Sequence, residues 1–187
     1  VDLRHPLTRD VAYLGLDDLE RQQMHCRLGE RIAEAPIANG LGAAIVARHF
    51  ARGGDRERAG TFYLQAANAA CLSYQLPRPT RYFNRGLAVL PESNIDRPSA
   101  LVALEAICRI QGRWSERRAH LTELRRFARQ SQHPLWGATA LIRSARFDLD
   151  TGRLARGLTL AQKGELAARH VGSAALEAPA PGPLALG

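Results

Sequence analysis

Gln111-Gly112-Arg113-Trp114 and Thr151-Gly152-Arg153-Leu154 decide how this chain folds. Each sets a glycine before an arginine and then opens a run with helical spacing, and the two glycines stand 40 residues apart. Gly54-Asp55-Arg56 opens a third run in the same style. A glycine at such a turn supplies the positive φ that ends one helix and frees the chain to start the next. The pattern predicts helical hairpins repeated along the chain.

Reading outward, helices are expected from about Ser115 to Ser131, Pro134 to Leu149 and Leu154 to Val171. Upstream, Asp55 to Ser73, Thr80 to Leu90 and Ser99 to Gln111 read the same way, the last with Leu101, Leu104, Ala106 and Ile107 inward. Leu76-Pro77 and Pro79 read as an interruption, and Pro91 through Pro98 as a connector. Earlier, Thr8 can cap a short helix with Leu7, Val11 and Leu14 on one face. Asp17 or Asp18 can cap a helix to about Ala35 in which Leu16, Leu19, Met24, Leu28 and Ile32 recur, and Pro36 stops it. Asn39-Gly40 and Gly42 mark a turn before a helix over Ala43 to Ala51. No run reads as a strand, so the fold class is all-α.

Composition agrees. In 187 residues, 45% are hydrophobic and only 6% aromatic, which suits closely packed Ala- and Leu-rich helices better than a sheet. No apolar run nears the ~18 residues of a membrane span, and Val1-Asp2-Leu3-Arg4 is no signal peptide; a soluble, cytoplasmic chain is expected. Cys26, Cys71 and Cys108 are isolated and odd in number, which reads as small buried thiols rather than a disulfide framework. Net charge is +8, but Lys163 is the single lysine among 26 basic residues, a skew that a GC-rich genome also produces.

Gly54, Ala59, Tyr63 and Ala66 resemble the turn glycine and small-large-small pattern of a tetratricopeptide repeat, and Phe83, Gly86 and Pro91 resemble its later part. Pro79 stands where that pattern has a small residue, and Arg117 and Gly157 stand where it has a packing alanine. A second resemblance covers residues 4 to 91. Arg4-His5-Pro6-Leu7-Thr8-Arg9-Asp10-Val11-Ala12-Tyr13, then Leu28 to Ala33, Ala47 to Asp55 and Arg58-Ala59-Gly60, are similar to a segment of bacterial STAND-type signalling ATPases. There it joins a winged-helix-like region to tetratricopeptide-like repeats, in chains that also carry a nucleotide cyclase or serine/threonine kinase domain. The resemblance implies a winged-helix-like remnant and lead-in helices over 1–36 and a tetratricopeptide-like α-solenoid over 37–171. The Ala/Pro/Gly-rich stretch 172–187 reads as disordered. It further implies a partner-binding sensor scaffold within a signal-transducing ATPase or transcriptional regulator.

Catalytic machinery is not legible. There is no GxxxxGK[ST] phosphate loop, no kinase HRD or DFG set and no cyclase carboxylate pair, so no enzyme activity and no cofactor are expected of this segment. His5, His25, His49, His120, His133 and His170 show no metal spacing, and adjacent His25 and Cys26 point about 100° apart on a helix, so no metal is expected. Asp17-Asp18 and Asp148-Asp150 read as caps and solvated acids, and Ser73 and Ser115 have no legible base. Trp114 and Trp136 read as plugs between helices.

The arginines of one helix form the candidate site. Arg118, Arg125 and Arg129 share a stripe with Arg126 and Arg117 nearby, while Leu121, Leu124 and Phe127 cover another face. Glu116 and Glu123 balance part of that charge. A solvated face is one reading. A partner-binding surface for an acidic peptide or an adjacent domain, centred on Arg118, Arg125, Arg126 and Arg129, is the other. Nucleic-acid binding by the Arg-rich helix 113–129 is the alternative, marked by steep salt dependence.

Overall fold

The computed structural model describes residues 10–11, 13–34, 40–72 and 77–177, the side chains at 40, 41, 77 and 173–177 excepted. The Arg4–Arg9 part of the ATPase-like segment, Ala12, Pro36, Asn39, Ser73, Leu76 and residues 178–187 lie outside them. Eight helices and no strand occur among the described residues: α1 (Asp18–Ala33), α2 (Gly40–Arg52), α3 (Arg56–Cys71), α4 (Pro77–Val89), α5 (Arg97–Ile110), α6 (Trp114–Ser131), α7 (Pro134–Asp150) and α8 (Leu154–Glu177). Packing divides the chain between Ala100 and Leu101, inside α5, into two compact units.

In the first unit α1 packs on α2, α2 on α3 and α3 on α4. Val46, Phe50 and Ala59 form a buried cluster, edged by Ile32, Ala33, Phe62 and Val89. Tyr63, Ala66 and Phe83 are buried as well. Gly60 is required by a close approach, since a Cβ there would lie 2.3 Å from Leu90 Cγ. Buried Arg97 donates to Leu87 O at 2.7 Å and Leu90 O at 2.9 Å, supplying partners for carbonyls that the end of α4 leaves unpaired.

In the second unit α6 packs on α7 and α7 on α8, with Leu101, Leu104, Ile107, Leu121, Leu124 and Phe147 in its core.

Three helix-to-helix links share one turn. The links between α2 and α3, α5 and α6, and α7 and α8 are each three residues long, with Gly54, Gly112 and Gly152 at φ of 80°, 67° and 78°. In each, the residue after the glycine bonds five residues back: Asp55 N to Phe50 O at 3.0 Å, Arg113 N to Cys108 O at 2.9 Å and Arg153 N to Asp148 O at 2.8 Å. The glycine's own N–H reaches three back, to Ala51, Arg109 and Leu149. That pair of bonds is the Schellman motif. Five residues beyond each glycine stand Ala59, Arg117 and Gly157, all buried. A Cβ at Gly157 would lie 2.7 Å from Leu149 Cδ2, so this hairpin closes most tightly.

Several expectations are corrected. The helices do part before Pro77, but α4 starts there rather than at Thr80, with Pro77 and Pro79 in its first turn, where a missing N–H costs no helical bond. Leu19 and Leu28 are exposed on α1, as are Val11 and Leu14 before it, and Met24 is partly so. The face of α1 that is buried carries His25 and Gly29, and a Cβ at Gly29 would lie 3.2 Å from the Phe50 ring, a tight contact. Cys71 is exposed, Cys26 is half-buried and only Cys108 is buried. Helix α8 runs on to Glu177, so residues 172–177 are helical rather than part of a structureless tail. The Asp17–Asp18 reading is met by a capping box, with Asp17 Oδ1 accepting from Glu20 N at 2.7 Å and Glu20 Oε2 from Asp17 N at 2.9 Å.

Candidate functional site

Helix α6 begins at the Gly112 turn, where Arg113 is spent on Glu116, its Nε donating at 2.6 Å. The next arginine is the largest departure from the sequence reading. Arg117 does not join an exposed stripe; its side chain is 0% exposed. Its Nε donates to Glu105 Oε1 at 2.6 Å and its Nη1 to Asp150 Oδ2 at 2.8 Å. Arg143 Nη1 reaches the other Glu105 oxygen at 3.0 Å, and Arg146 Nε the other Asp150 oxygen at 3.1 Å. Two carboxylates and three guanidiniums form a chain from α5 through α6 to α7. Burial alone would raise the Asp150 carboxyl, but the hydrogen bond and charge from Arg117, with Arg146 behind it, hold it below the ordinary carboxylate range. The acids at 148 and 150 are therefore paired, not solvated as expected.

Beside this chain, α6, α7 and the start of α8 enclose a cleft of about 230 Å³. Arg118, Leu121, Thr122 and Arg125 come from α6, Ser144, Phe147 and Asp148 from α7, and Arg153 and Arg156 from the turn and first helical turn beyond Gly152. Buried Asp148 lies in its wall, with Arg153 Nη2 2.8 Å from Oδ1 and Arg156 Nε 3.0 Å from Oδ2. The Arg156 contact is an ion pair without hydrogen-bond alignment, so Oδ2 accepts no hydrogen bond among the described residues. The Phe147 ring holds guanidinium carbons on several sides, Arg118 at 5.8 Å and Arg153 at 5.2 Å from its centroid. Arg125 Nη2 reaches Thr122 Oγ1 at 3.3 Å. Ser144 Oγ is buried and bonds to no described residue. Four guanidiniums thus face one carboxylate, an excess of positive charge in a mostly polar lining to which Leu121 and Phe147 add apolar surface.

Of the residues expected to bind a partner, Arg118 and Arg125 line this cleft. Arg126 borders a shallower hollow with Ser115, Ala119 and Glu123. Arg129 is exposed in the last turn of α6, where its charge suits the helix dipole, and lines neither hollow. Arg153, Arg156, Ser144 and Phe147 were not legible as site residues. A signal existed in Arg153 and Arg156, three apart at a helix start and so on one face, but their meeting with α6 is tertiary. Trp114 meets Phe147 edge-on at 6.4 Å yet remains 46% exposed, so it is no more than a partial plug.

In the first unit, His25 Nδ1 and His49 Nδ1 lie 3.0 Å apart, joining α1 to α2, and Tyr13 Oη lies 3.1 Å from His25 Nε2. Burial and the charge of Arg52 hold His25 below the ordinary imidazole value. Burial, with His25, Arg48 and Arg52, does the same for His49. Adjacent Cys26 instead donates its thiol to Gly53 O at 3.4 Å. No group of three or more His, Cys, Asp or Glu side chains converges among the described residues. No described helix is long and apolar enough to cross a membrane. Comparison with protein-family models, curated proteins and solved structures finds no match for the chain.

Proposed function

We propose that the chain is a non-catalytic, tetratricopeptide-like interaction scaffold that captures an acidic segment of a partner protein in the arginine cleft. The observation that carries this is the convergence of Arg118, Arg125, Arg153 and Arg156 on one concavity with Asp148 as the sole carboxylate in its lining. An excess of guanidinium in one concavity favours carboxylate-rich ligands and disfavours basic ones. The repeat reading is supported by the Schellman turn used three times and by the buried residue five places beyond each turn glycine. Each such hairpin buries its apolar face against a neighbour, and an array of them offers a surface for peptide recognition. In a signal-transducing ATPase or transcriptional regulator of the cytoplasm, such a segment would report partner binding to the rest of the chain.

Nucleic-acid binding by the helix 113–129 finds less support. Arg113 is paired with Glu116 and Arg117 is buried, which removes two cations from the outward face.

The test is fluorescence anisotropy with labelled acidic, neutral and basic peptides of equal length. Only the acidic set should bind, and Arg125→Glu with Arg156→Glu should abolish that binding while helicity is kept. Equal binding of basic peptides, or nucleotide turnover by the pure chain, would overturn the proposal.

A further inference from the structure

We infer that the cleft is built for a phosphate monoester, the dianion carried by a phosphorylated serine or threonine of the partner segment, rather than for a lone carboxylate. The inference rests on the partner-binding reading above and sharpens its chemistry.

Charge comes first. Arg118, Arg125, Arg153 and Arg156 face a single carboxylate, Asp148, leaving three positive charges without a counter-charge in the lining. A carboxylate ligand would neutralise one of them. A phosphate monoester brings about −1.5 to −2 at neutral pH and three acceptor oxygens. A phosphodiester of nucleic acid brings one negative charge per phosphate. A cleft of about 230 Å³ is smaller than the ~300–1,000 Å³ of drug-sized ligand pockets, so it suits one compact anion rather than a run of them.

Donor geometry agrees. Arg118 and Arg153 lie against the Phe147 ring, and a guanidinium held by an aromatic face keeps its N–H edges for an acceptor. Arg153 and Arg156 each contact one oxygen of Asp148 and keep other donors. Among the described residues Arg125 bonds to Thr122 alone, at 3.3 Å.

A second observation is independent of charge. Ser144 stands in the cleft lining, 5% exposed, and its Oγ bonds to no described residue. A buried hydroxyl without a partner is rare and calls for an explanation. An anion in the cleft supplies the missing acceptor. Asp148 opposes the ligand by its charge, and Arg153 and Arg156 then bridge the two anions.

The test uses the full chain. Inorganic phosphate is titrated against chloride at constant ionic strength while the Arg Nε–H signals are followed by NMR. The signals of Arg118, Arg125, Arg153 and Arg156 should shift together, and the affinity of a phosphoserine peptide should fall as pH drops through about 6, where a phosphate monoester loses its second charge. One peptide is then compared with Ser, Glu or phosphoserine at its centre. The phosphoserine form should bind about tenfold tighter than the Glu form, the worth of one further charge-assisted hydrogen bond. Ser144→Ala and Arg125→Gln should each weaken phosphopeptide binding several-fold with the melting temperature unchanged. Asp148→Asn, where it folds, should strengthen it.

Equal affinity for the Glu and phosphoserine peptides, both lost in Arg125→Gln, would overturn the phosphate inference and leave the acidic-partner scaffold standing. No shift with phosphate and no binding of either peptide would overturn both. Duplex DNA binding tighter than the phosphopeptide would overturn both in favour of nucleic acid.

Discussion

The links at Gly54 and Gly112 have the same turn and bury opposite kinds of side chain beyond it. Both glycines hold positive φ, both turns make the same backbone bonds, and five residues on, both chains bury a side chain completely. Beyond the first link that side chain is Ala59, packed with Val46 and Phe50. Beyond the second it is Arg117, held by Glu105 and Asp150. The turn fixes where the second helix starts and which position faces inward. It does not fix the chemistry of that position, provided every charge placed there finds a partner.

The largest effect should come from exchanging the interiors. Ala59→Arg puts a guanidinium among Val46, Phe50 and Phe62 without the carboxylates that serve Arg117. Overpacking and an unpaired buried charge together should cost on the order of 5 kcal/mol, and urea unfolding followed by circular dichroism should show the first unit unfolded or close to it. A wild-type transition would break the comparison. Next comes Arg117→Ala, which strips Glu105, itself 1% exposed, of its buried partner. A loss of about 3–5 kcal/mol is expected by the same measurement. Replacing both partners, Arg117→Met with Glu105→Leu, should recover most of that loss or exceed wild type, because an apolar pair has no desolvation cost to offset.

Gly54→Ala and Gly112→Ala sharpen the shared half of the comparison. Positive φ is strained for any side chain, and each should cost about 1–2 kcal/mol. Two equal values would show that the turn works alike over an apolar and a charged interior.

The smallest effect is in pH. His25 and His49 are held below the ordinary imidazole value, so unfolded chains take up protons that the folded pair refuses as pH falls through about 6.5. Protection factors of the α1 and α2 amides, each taken against the intrinsic exchange rate at the same pH, should fall from pH ~7 to pH ~5, and less so in His25→Gln with His49→Gln. His120 in α6, lowered chiefly by burial, adds a term of the same sign in the second unit. Asp150 has the opposite ionisation, with a depressed carboxyl pKa. Its contribution is present at neutral pH and is lost only below the ordinary carboxylate value of about 3.9.

Turns were legible in the sequence because a glycine's freedom at positive φ is a local property, and Gly54, Gly112 and Gly152 each end a helix as read. Inward positions on α5 were legible too, since Leu101, Leu104 and Ile107 are buried at helical spacing. Helix α1 was not. Periodicity pointed to its large apolar residues, of which Ile32 packs on the core while Leu19, Met24 and Leu28 stay exposed, and contact with α2 selected Gly29 and the partnered His25. The cleft was half legible. Arg118 and Arg125 lie on one helix and share a stripe, but Arg153 and Arg156 join them only through packing of α6, α7 and α8. Arg117 reads two ways, at the packing-alanine position and beside the exposed stripe; it is buried as the first has it, and its partners were not legible because Glu105 and Asp150 stand 12 and 33 residues away.

All four cations of the cleft are guanidiniums, and that narrows how the site can be controlled. Their charge survives any physiological acidity, and lysine acetyltransferases find no substrate among them. On the binding reading proposed above, control is then left to modification of the ligand or to methylation of the arginines, which keeps their charge but blocks bidentate bonds. In the laboratory the same fact is convenient. Lys163, the sole lysine, is exposed on α8 and outside the cleft lining, so amine-directed dyes or surfaces reach no side chain of the site.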